Sequence, residues 1–178
     1  MRYFNEIDYK QYNKKFILED YDIKKAIYVP RDKSVFLSHS SKDIDKLEYV
    51  IRFLESFGVK VYIDKTDEKL PRITSTETAK ILKENIKRCK KFIVLVSENS
   101  KDSRWIPWEV GIADIAKTTD NIALLPVSTV RPSWVNQEYM GLYKRIINED
   151  YLHNGSDSWY VYDNNTDTFS DLKWWINN

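Results

Sequence analysis

One short segment of the sequence combines two indoles with a carboxylate where a strand is predicted to pass into a helix. The segment SRWIPWE contains Trp105 and Trp108 and ends on Glu109. Trp105 and Glu109 are four residues apart, so a helix would place both side chains on one face. This pair could bind a ligand in which a sugar is joined to a flat base. The indole can stack on the base, while the carboxylate binds ribose hydroxyls and stabilises a developing oxocarbenium ion.

The sequence alone also allows a purely structural role for the same residues. Pro107 is tolerated at a helix start, and an acid in the first turn interacts favourably with the positive end of the helix dipole. Tryptophan at a junction is also commonly a packing residue, and we expect this role for Trp108. Spacing alone therefore favours a helix-start role for Glu109, and a ligand role depends on its position in the fold.

The surrounding sequence alternates between predicted strands and helices. Short apolar runs predict strands at 34–38, 59–64, 91–97 and 121–127. After the first strand, apolar residues at three- and four-residue spacing predict one helical face, formed by Ile44, Leu47, Ile51, Leu54 and Phe57. Alternation with near-continuous apolar strands indicates a parallel sheet covered by helices on both faces.

The C-terminal part of the sequence is less regular. The segment WVNQEYMGLYKRII predicts a helix, and SWYVYDNNTDTF predicts a hairpin. We expect Trp174 and Trp175 to lie in the core or in an interface.

Polar loops follow three of the predicted strands. They read SHSSKD, DKTDEKLPRITS and SENSKDSRWIPWE. In an open parallel sheet, ligands bind beyond the carboxyl ends of the strands, where the strand order reverses. The sequence therefore predicts one crevice, although His39 could equally bond its own loop and Asp64 could be a turn or cap residue.

Several common chemistries are excluded by what these loops lack. The chain holds four glycines, none spaced for a dinucleotide-binding or Walker A loop. A receiver domain would need an aspartate at the end of the third strand, where this chain reads VSENS. No G-x-S-x-G elbow is present. One cysteine and two histidines make a poor metal site, so we expect no metal and no cofactor.

The bulk composition is typical of one soluble domain. The chain has 178 residues, of which 42% are hydrophobic and 31% charged. A formal net charge of +1 argues against nucleic-acid binding. The longest apolar runs are too short to span a membrane, and the N-terminal segment lacks an apolar signal core. We expect a cytoplasmic protein that binds neither nucleic acid nor membrane.

Four ordered segments closely resemble a bacterial TIR (Toll/interleukin-1 receptor) domain. They are SVFLSHSSKD, LESFGVKVYID, CKKFIVLVSENSKDSRWIPWEVG and NIALLPV, and together they cover residues 34–128. The resemblance implies a flavodoxin-like, three-layer α/β fold with a five-stranded parallel sheet in the order 2-1-3-4-5 and helices on both faces. Residues 34–178 would form the TIR domain, with a C-terminal helix and aromatic tail at 129–178, and residues 1–33 an extension packed on it.

The resemblance also implies roles for individual residues. In enzymatic TIR domains the glutamate that follows W-x-x-x is catalytic in NAD cleavage, which here is Glu109. The loop that begins at Asp64 would close over the nucleotide or contact a neighbouring protomer, and it departs from the family pattern because it contains no glycine. The implied substrate-binding residues are Trp105, Ser38, His39, Ser40 and Asp64.

The implied activity is cleavage of the nicotinamide–ribose bond of NAD to give an ADP-ribose-derived, cyclic or base-exchanged signal. Among bacterial TIR proteins, the chain resembles the stand-alone component of Thoeris-type anti-phage systems. NAD is then the substrate rather than a bound cofactor. The implied partners are other copies of the TIR domain on activation and a separate effector that responds to the nucleotide.

Two other functions stay open. One is a non-catalytic adaptor that acts through TIR–TIR contacts, although an adaptor has no chemical reason to keep Trp105 and Glu109 together. The other is a nucleoside ribosyltransferase-like enzyme, which a comparison of nucleosides with NAD as substrates would distinguish.

Overall fold

The fold is given by a computed structural model that describes residues 2–5, 8, 33–63, 76–127, 138–149 and 158–178. Within these ranges the chain forms one sheet with helices on both faces. The strands are β1 (Ser34–Ser38), β2 (Lys60–Ile63), β3 (Lys91–Val96), β4 (Ile122–Pro126), β5 (Lys144–Asn148), β6 (Trp159–Asp163) and β7 (Thr168–Asp171). The helices are α1 (Ile44–Glu55), α2 (Thr76–Arg88), α3 (Trp105–Ala116) and α4 (Leu172–Asn177).

The first five strands are parallel and lie in the order β2-β1-β3-β4-β5. This confirms the predicted flavodoxin-like arrangement. The order reverses at β1 and β3, which are neighbours, with Ser38 opposite Val94. Their carboxyl ends therefore open into the same crevice, as expected at a switch point.

Side chains of successive strand residues enter two separate cores, one on each face of the sheet. In β1, Val35 and Leu37 face the core that α1 and α4 cover. Phe36 between them faces the second core, beneath α2 and α3. Because β1, β3 and β4 are buried along their full length, their sequences read as continuous apolar runs rather than alternating ones.

The sheet continues beyond the predicted five strands. The predicted hairpin is confirmed as β6 and β7, and it pairs antiparallel with β5, so the described sheet has seven strands. The prediction of a helix over WVNQEYMGLYKRII is wrong for its described part, which is a 3-10 turn at Glu138–Leu142 followed by β5. Ile146 and Ile147 are fully buried in β5, where β-branched side chains pack well between β4 and β6.

The two adjacent tryptophans of α4 have different environments. Trp175 is buried and its indole nitrogen donates to the Asp120 carbonyl at 2.8 Å. Trp174 is 61% exposed, so a core position is confirmed only for Trp175, and an interface position of Trp174 stays a prediction.

The described part of the N-terminal segment lies against the domain. Phe4 is fully buried, with its ring centroid 4.7 Å from that of Phe53. Arg2 exchanges two backbone hydrogen bonds with Asn148 of β5. Among the described helices, none is long and apolar enough to cross a membrane.

Candidate functional site

Glu109 lies in a buried position beside the carboxyl end of β1. The residue is only 5% exposed and belongs to α3. Ser38, the last residue of β1 and 1% exposed, donates its hydroxyl hydrogen to Glu109 Oε2 at 2.5 Å. This bond joins the element that follows β3 to the end of β1. It places the carboxylate at the switch point that the sequence predicted.

The helix-start explanation of Glu109 does not account for this geometry. α3 begins at Trp105, which makes Glu109 its fifth residue, and no acidic residue lies in the first turn. Ser103 supplies the capping interaction instead, since its hydroxyl accepts from the backbone amides of Trp105 and Ile106 at 3.3 Å each. An acid kept for the helix dipole alone would normally stay in solvent.

The two tryptophans of α3 contact each other edge to face. Their ring centroids are 5.4 Å apart with an interplanar angle of 87°. Both side chains are half-buried and pack against the core beneath α2 and α3, so Trp108 lies at the margin of the core rather than inside it. Lys83 of α2 covers the Trp108 ring at 5.8 Å from its centroid. Trp105 is therefore partly exposed and held by an edge contact with Trp108, and its stacking role stays a prediction.

The residues after β1 are also buried. His39 and Ser40 are 6% and 4% exposed. His39 Nδ1 lies 3.4 Å from the Leu37 carbonyl, and the Ser40 hydroxyl accepts from the Lys42 amide at 3.4 Å. The structure thus brings Ser38, His39 and Ser40 to the crevice, where Ser38 bonds Glu109 and the other two make contacts within their own loop. Asp64 lies outside the described residues, and the substrate-binding roles stay predictions.

Sequence reasoning missed a second buried carboxylate, Asp43. It is fully buried and accepts from Ser97 Oγ at 2.5 Å and from Asn99 Nδ2 at 2.8 Å. Lys46 Nζ lies 3.0 Å from Asp43 Oδ1, the same oxygen that accepts from Asn99. A signal was present, because Asp43 precedes the core residue Leu47 by four positions, and a predicted helix that contains both would place them on one face.

The charge of Asp43 also acts on Lys46. Burial lowers the pKa of the Lys46 ammonium, but the hydrogen bond and charge of Asp43, with a contribution from Asp45, outweigh it and leave this pKa raised. The carboxylate is thus paired inside the protein, which makes its burial tolerable. No group of three or more metal-ligating side chains occurs in the part of the chain that the structure describes.

A separate open cavity of about 540 Å³ lies at the opposite end of the sheet, where β3 and β4 begin. Its lining residues are Lys87, Cys89, Lys90, Ala116, Lys117, Thr118 and Asn121. The Lys117 ammonium donates to the Cys89 carbonyl at the end of α2, a common arrangement for a lysine near a helix C-terminus. None of the predicted site residues that the structure describes lines this cavity.

Comparison with known proteins agrees with the sequence resemblance. The sequence profile of the TIR domain family matches residues 35–155. A probable 3' cyclic ADP-D-ribose synthase, ThsB', of Bacillus cereus (strain MSX-D12) is 41% identical over 129 residues, which are 70% of this chain and 63% of that protein. A candidate cyclic ADP-D-ribose synthase, TIR2, of Cytobacillus dafuensis is 30% identical over 88 residues, which are 47% of this chain and 23% of that protein. The matched regions therefore cover less than two thirds of either relative.

Proposed function

Because the chain belongs to the TIR domain family, we propose that it is an enzyme that cleaves the nicotinamide–ribose bond of NAD and converts the remainder into a cyclic ADP-ribose isomer. The observation that carries this proposal is the buried Glu109 carboxylate, held by Ser38 at the switch point of the sheet. The names of the two relatives, both cyclic ADP-D-ribose synthases, support the same reaction class.

A single carboxylate is sufficient for this chemistry. Glycosidases need a second, acidic group because their alkoxide leaving group must be protonated. Nicotinamide leaves from a pyridinium, so the electron pair of the C–N bond neutralises a charge that is already present. Glu109 then has to orient the ribose and stabilise the oxocarbenium ion that remains.

The group that attacks the ribose carbon after nicotinamide leaves determines the product. Attack by water would add one oxygen and give linear ADP-ribose, with release of nicotinamide and a proton. Attack by a hydroxyl or nitrogen of the same molecule closes a ring and also releases nicotinamide and a proton. Because the name of the first relative specifies a 3' isomer, we take a ribose hydroxyl as the acceptor.

The remaining residues of the crevice have distinct roles in this proposal. Trp105 stacks on the flat base, and its edge contact with Trp108 fixes the orientation of its ring. His39 and Ser40 would line the pocket from the end of β1, and the loop that begins at Asp64 in the sequence would close over the bound nucleotide. Ser38 contributes through its hydrogen bond to Glu109.

The biological role that we propose is signalling in anti-phage defence of the Thoeris type. The protein would act in the cytoplasm, self-associate on activation, and reach a separate effector only through its nucleotide product. A diffusible product removes the need for direct contact between this chain and the effector.

The experiment that tests the proposed reaction is incubation of the full chain with NAD, followed by liquid chromatography and mass spectrometry. Protein purified from phage-infected cells is compared with protein from uninfected cells. We expect nicotinamide and a product with the mass of NAD minus nicotinamide. Parallel incubations with nucleosides would reveal a ribosyltransferase-like preference instead.

Glu109→Gln keeps the shape of the side chain and removes its charge. We expect it to lower product formation by about 100-fold or more, the scale of a lost transition-state electrostatic contact. Glu98→Gln is the matched control, because Glu98 lies exposed in the loop between β3 and α3. Equal turnover by the Glu109→Gln and wild-type proteins, or no NAD loss with protein from infected cells, would show that the proposal is wrong.

A further inference from the structure

Two serine–carboxylate hydrogen bonds cross between the ends of β1 and β3. Ser38 at the end of β1 donates to Glu109, which follows β3 in the chain. Ser97 directly after β3 donates to Asp43, which follows β1. Each bond is 2.5 Å long and each carboxylate is buried. Two hydrogen bonds therefore join the chain at the end of β1 to the chain that follows β3.

Asp43 is the buried acceptor of the second of these hydrogen bonds, the one from Ser97. Its two carboxylate oxygens accept from Ser97 and Asn99, which both belong to the loop after β3. Lys46 of α1 pairs with Asp43 Oδ1, the oxygen that also accepts from Asn99. Since Asp43 is fully buried and its carboxylate meets Ser97, Asn99 and Lys46, it has no surface to offer to a substrate.

The loop that Asp43 binds has little freedom of its own. The Ser100 hydroxyl accepts from the Ser97 amide at 2.9 Å and donates to the Leu95 carbonyl at 3.0 Å. The backbone amide of Asn99 donates to Ser97 Oγ at 3.0 Å. The Ser97 hydroxyl therefore accepts within the loop and donates to Asp43. A shift of Asp43 must therefore move the loop as one unit, and α3 with it.

We propose that Asp43 is a positioning residue for Glu109. By fixing the loop after β3 against the turn after β1, it sets the distance between Ser38 and Glu109 and hence the direction in which the carboxylate meets the ribose. The expected effect of Asp43 on catalysis rests on the proposed function. The tie between the loops is a structural relationship that can be measured without NAD.

The test uses Asp43→Asn, which keeps the size of the side chain but replaces one acceptor oxygen with a donor. Ser97 and Asn99 can then no longer both donate to it. We expect kcat to fall by about 10- to 100-fold, the range that follows from misplacing a catalytic group, while KM stays within about twofold. Asp45→Asn is the matched control, because Asp45 also pairs with Lys46 but is 72% exposed.

A double-mutant cycle separates positioning from general destabilisation. If Asp43 acts through the Ser38–Glu109 bond, the Asp43→Asn/Ser38→Ala protein loses no more kcat than the more damaged single variant. Additive losses in kcat would overturn the inference. Should Asp43→Asn fail to fold, Ser97→Ala removes the same tie from the other side and takes its place in the cycle.

Hydrogen exchange of the backbone amides gives the readout that does not depend on activity. Asp43→Asn should speed exchange at residues 97–106 while exchange in the middle of α1 stays as in the wild type. Unchanged exchange at residues 97–106 overturns the inference whatever the enzyme does. Faster exchange there, in a protein whose wild type never cleaves NAD, overturns the proposed function and leaves the tie intact.

Discussion

Ser38 and Glu109 are 71 residues apart in sequence, yet the Ser38 hydroxyl donates to the Glu109 carboxylate at 2.5 Å. This separation is at the short end of the range for a hydroxyl bound to an ionised carboxylate. Both side chains are buried, so the bond forms where water competes weakly for it. Ser38 therefore determines where one oxygen of Glu109 lies, whichever ligand enters the crevice.

Replacing Ser38 by alanine should impair turnover. A hydrogen bond to a charged group contributes about 1.5–3 kcal/mol, so we expect kcat to fall roughly 10- to 100-fold and KM to change little. Ser34→Ala is the matched control, because Ser34 is buried at the opposite end of the same strand. Steady-state kinetics with NAD checks the expectation, and equal losses in the two variants would contradict it.

Removing the indole of Trp105 should weaken substrate binding. Stacking of a base on an aromatic side chain contributes about 1–3 kcal/mol, so Trp105→Ala should raise KM by roughly 5- to 100-fold. Trp105→Phe keeps a ring that can stack, and we expect most of the affinity to return. If Trp105→Ala instead lowers kcat at unchanged KM, the residue acts on the reacting atoms and does not stack on the base.

The central elements could be predicted because local pattern and tertiary environment agree. The strands β1, β3 and β4 read as apolar runs and are in fact buried on both faces. The helical face through Leu47, Ile51 and Leu54 packs as expected. Once those elements were assigned, the switch-point rule placed Glu109 at the crevice without further information.

Where the prediction failed, distant pairing decided the outcome. The segment KRIIN forms a strand because it pairs with β4 on one side and with β6 on the other. The spacing of residues within the segment does not show these pairings. The role of Asp43 depends on Ser97, which is 54 residues away. A sequence shows that an acid shares a face with core residues, but it does not show which donors meet it.

The single cysteine should be unreactive in the folded protein. Cys89 is buried, and burial is the main cause that raises the pKa of its thiol to about 11. Because the thiolate is the reactive form, we expect a disulfide reagent at roughly pH 8 to modify the native protein at least 100-fold more slowly than the urea-unfolded chain. Absorbance of the released thiolate measures both rates, and similar rates would show that the site opens readily.

The free energy of unfolding should depend on pH because of Lys91. This side chain donates to Asn121 Oδ1 at 2.6 Å and lies 4.5 Å from the centroid of the Trp175 ring. Burial first, and then the charge of Lys90, lower the pKa of the Lys91 ammonium to about 8. In the unfolded chain the same group titrates near its ordinary value of about 10.4.

The sign follows from the protons bound in each state. Between about pH 8 and pH 10 the unfolded chain keeps the Lys91 proton and the folded protein has lost it, so the free energy of unfolding rises with pH. Solvent screening reduces the size of this effect to roughly 1 kcal/mol. Below about pH 8 both states are protonated, and the contribution no longer changes with pH.

Lys91→Met isolates this contribution, since methionine fills similar space and cannot titrate. The wild-type free energy of unfolding minus that of Lys91→Met should become more positive by roughly 1 kcal/mol between about pH 7.5 and pH 10 in urea titrations. Cys89 has a raised pKa and acts in the opposite direction above about pH 9, but it is present in both proteins and cancels in the difference. Lys80→Met on the exposed side of α2 is the control and should give a flat difference. A flat difference for Lys91→Met as well would mean that the Lys91 ammonium stays charged beside Trp175.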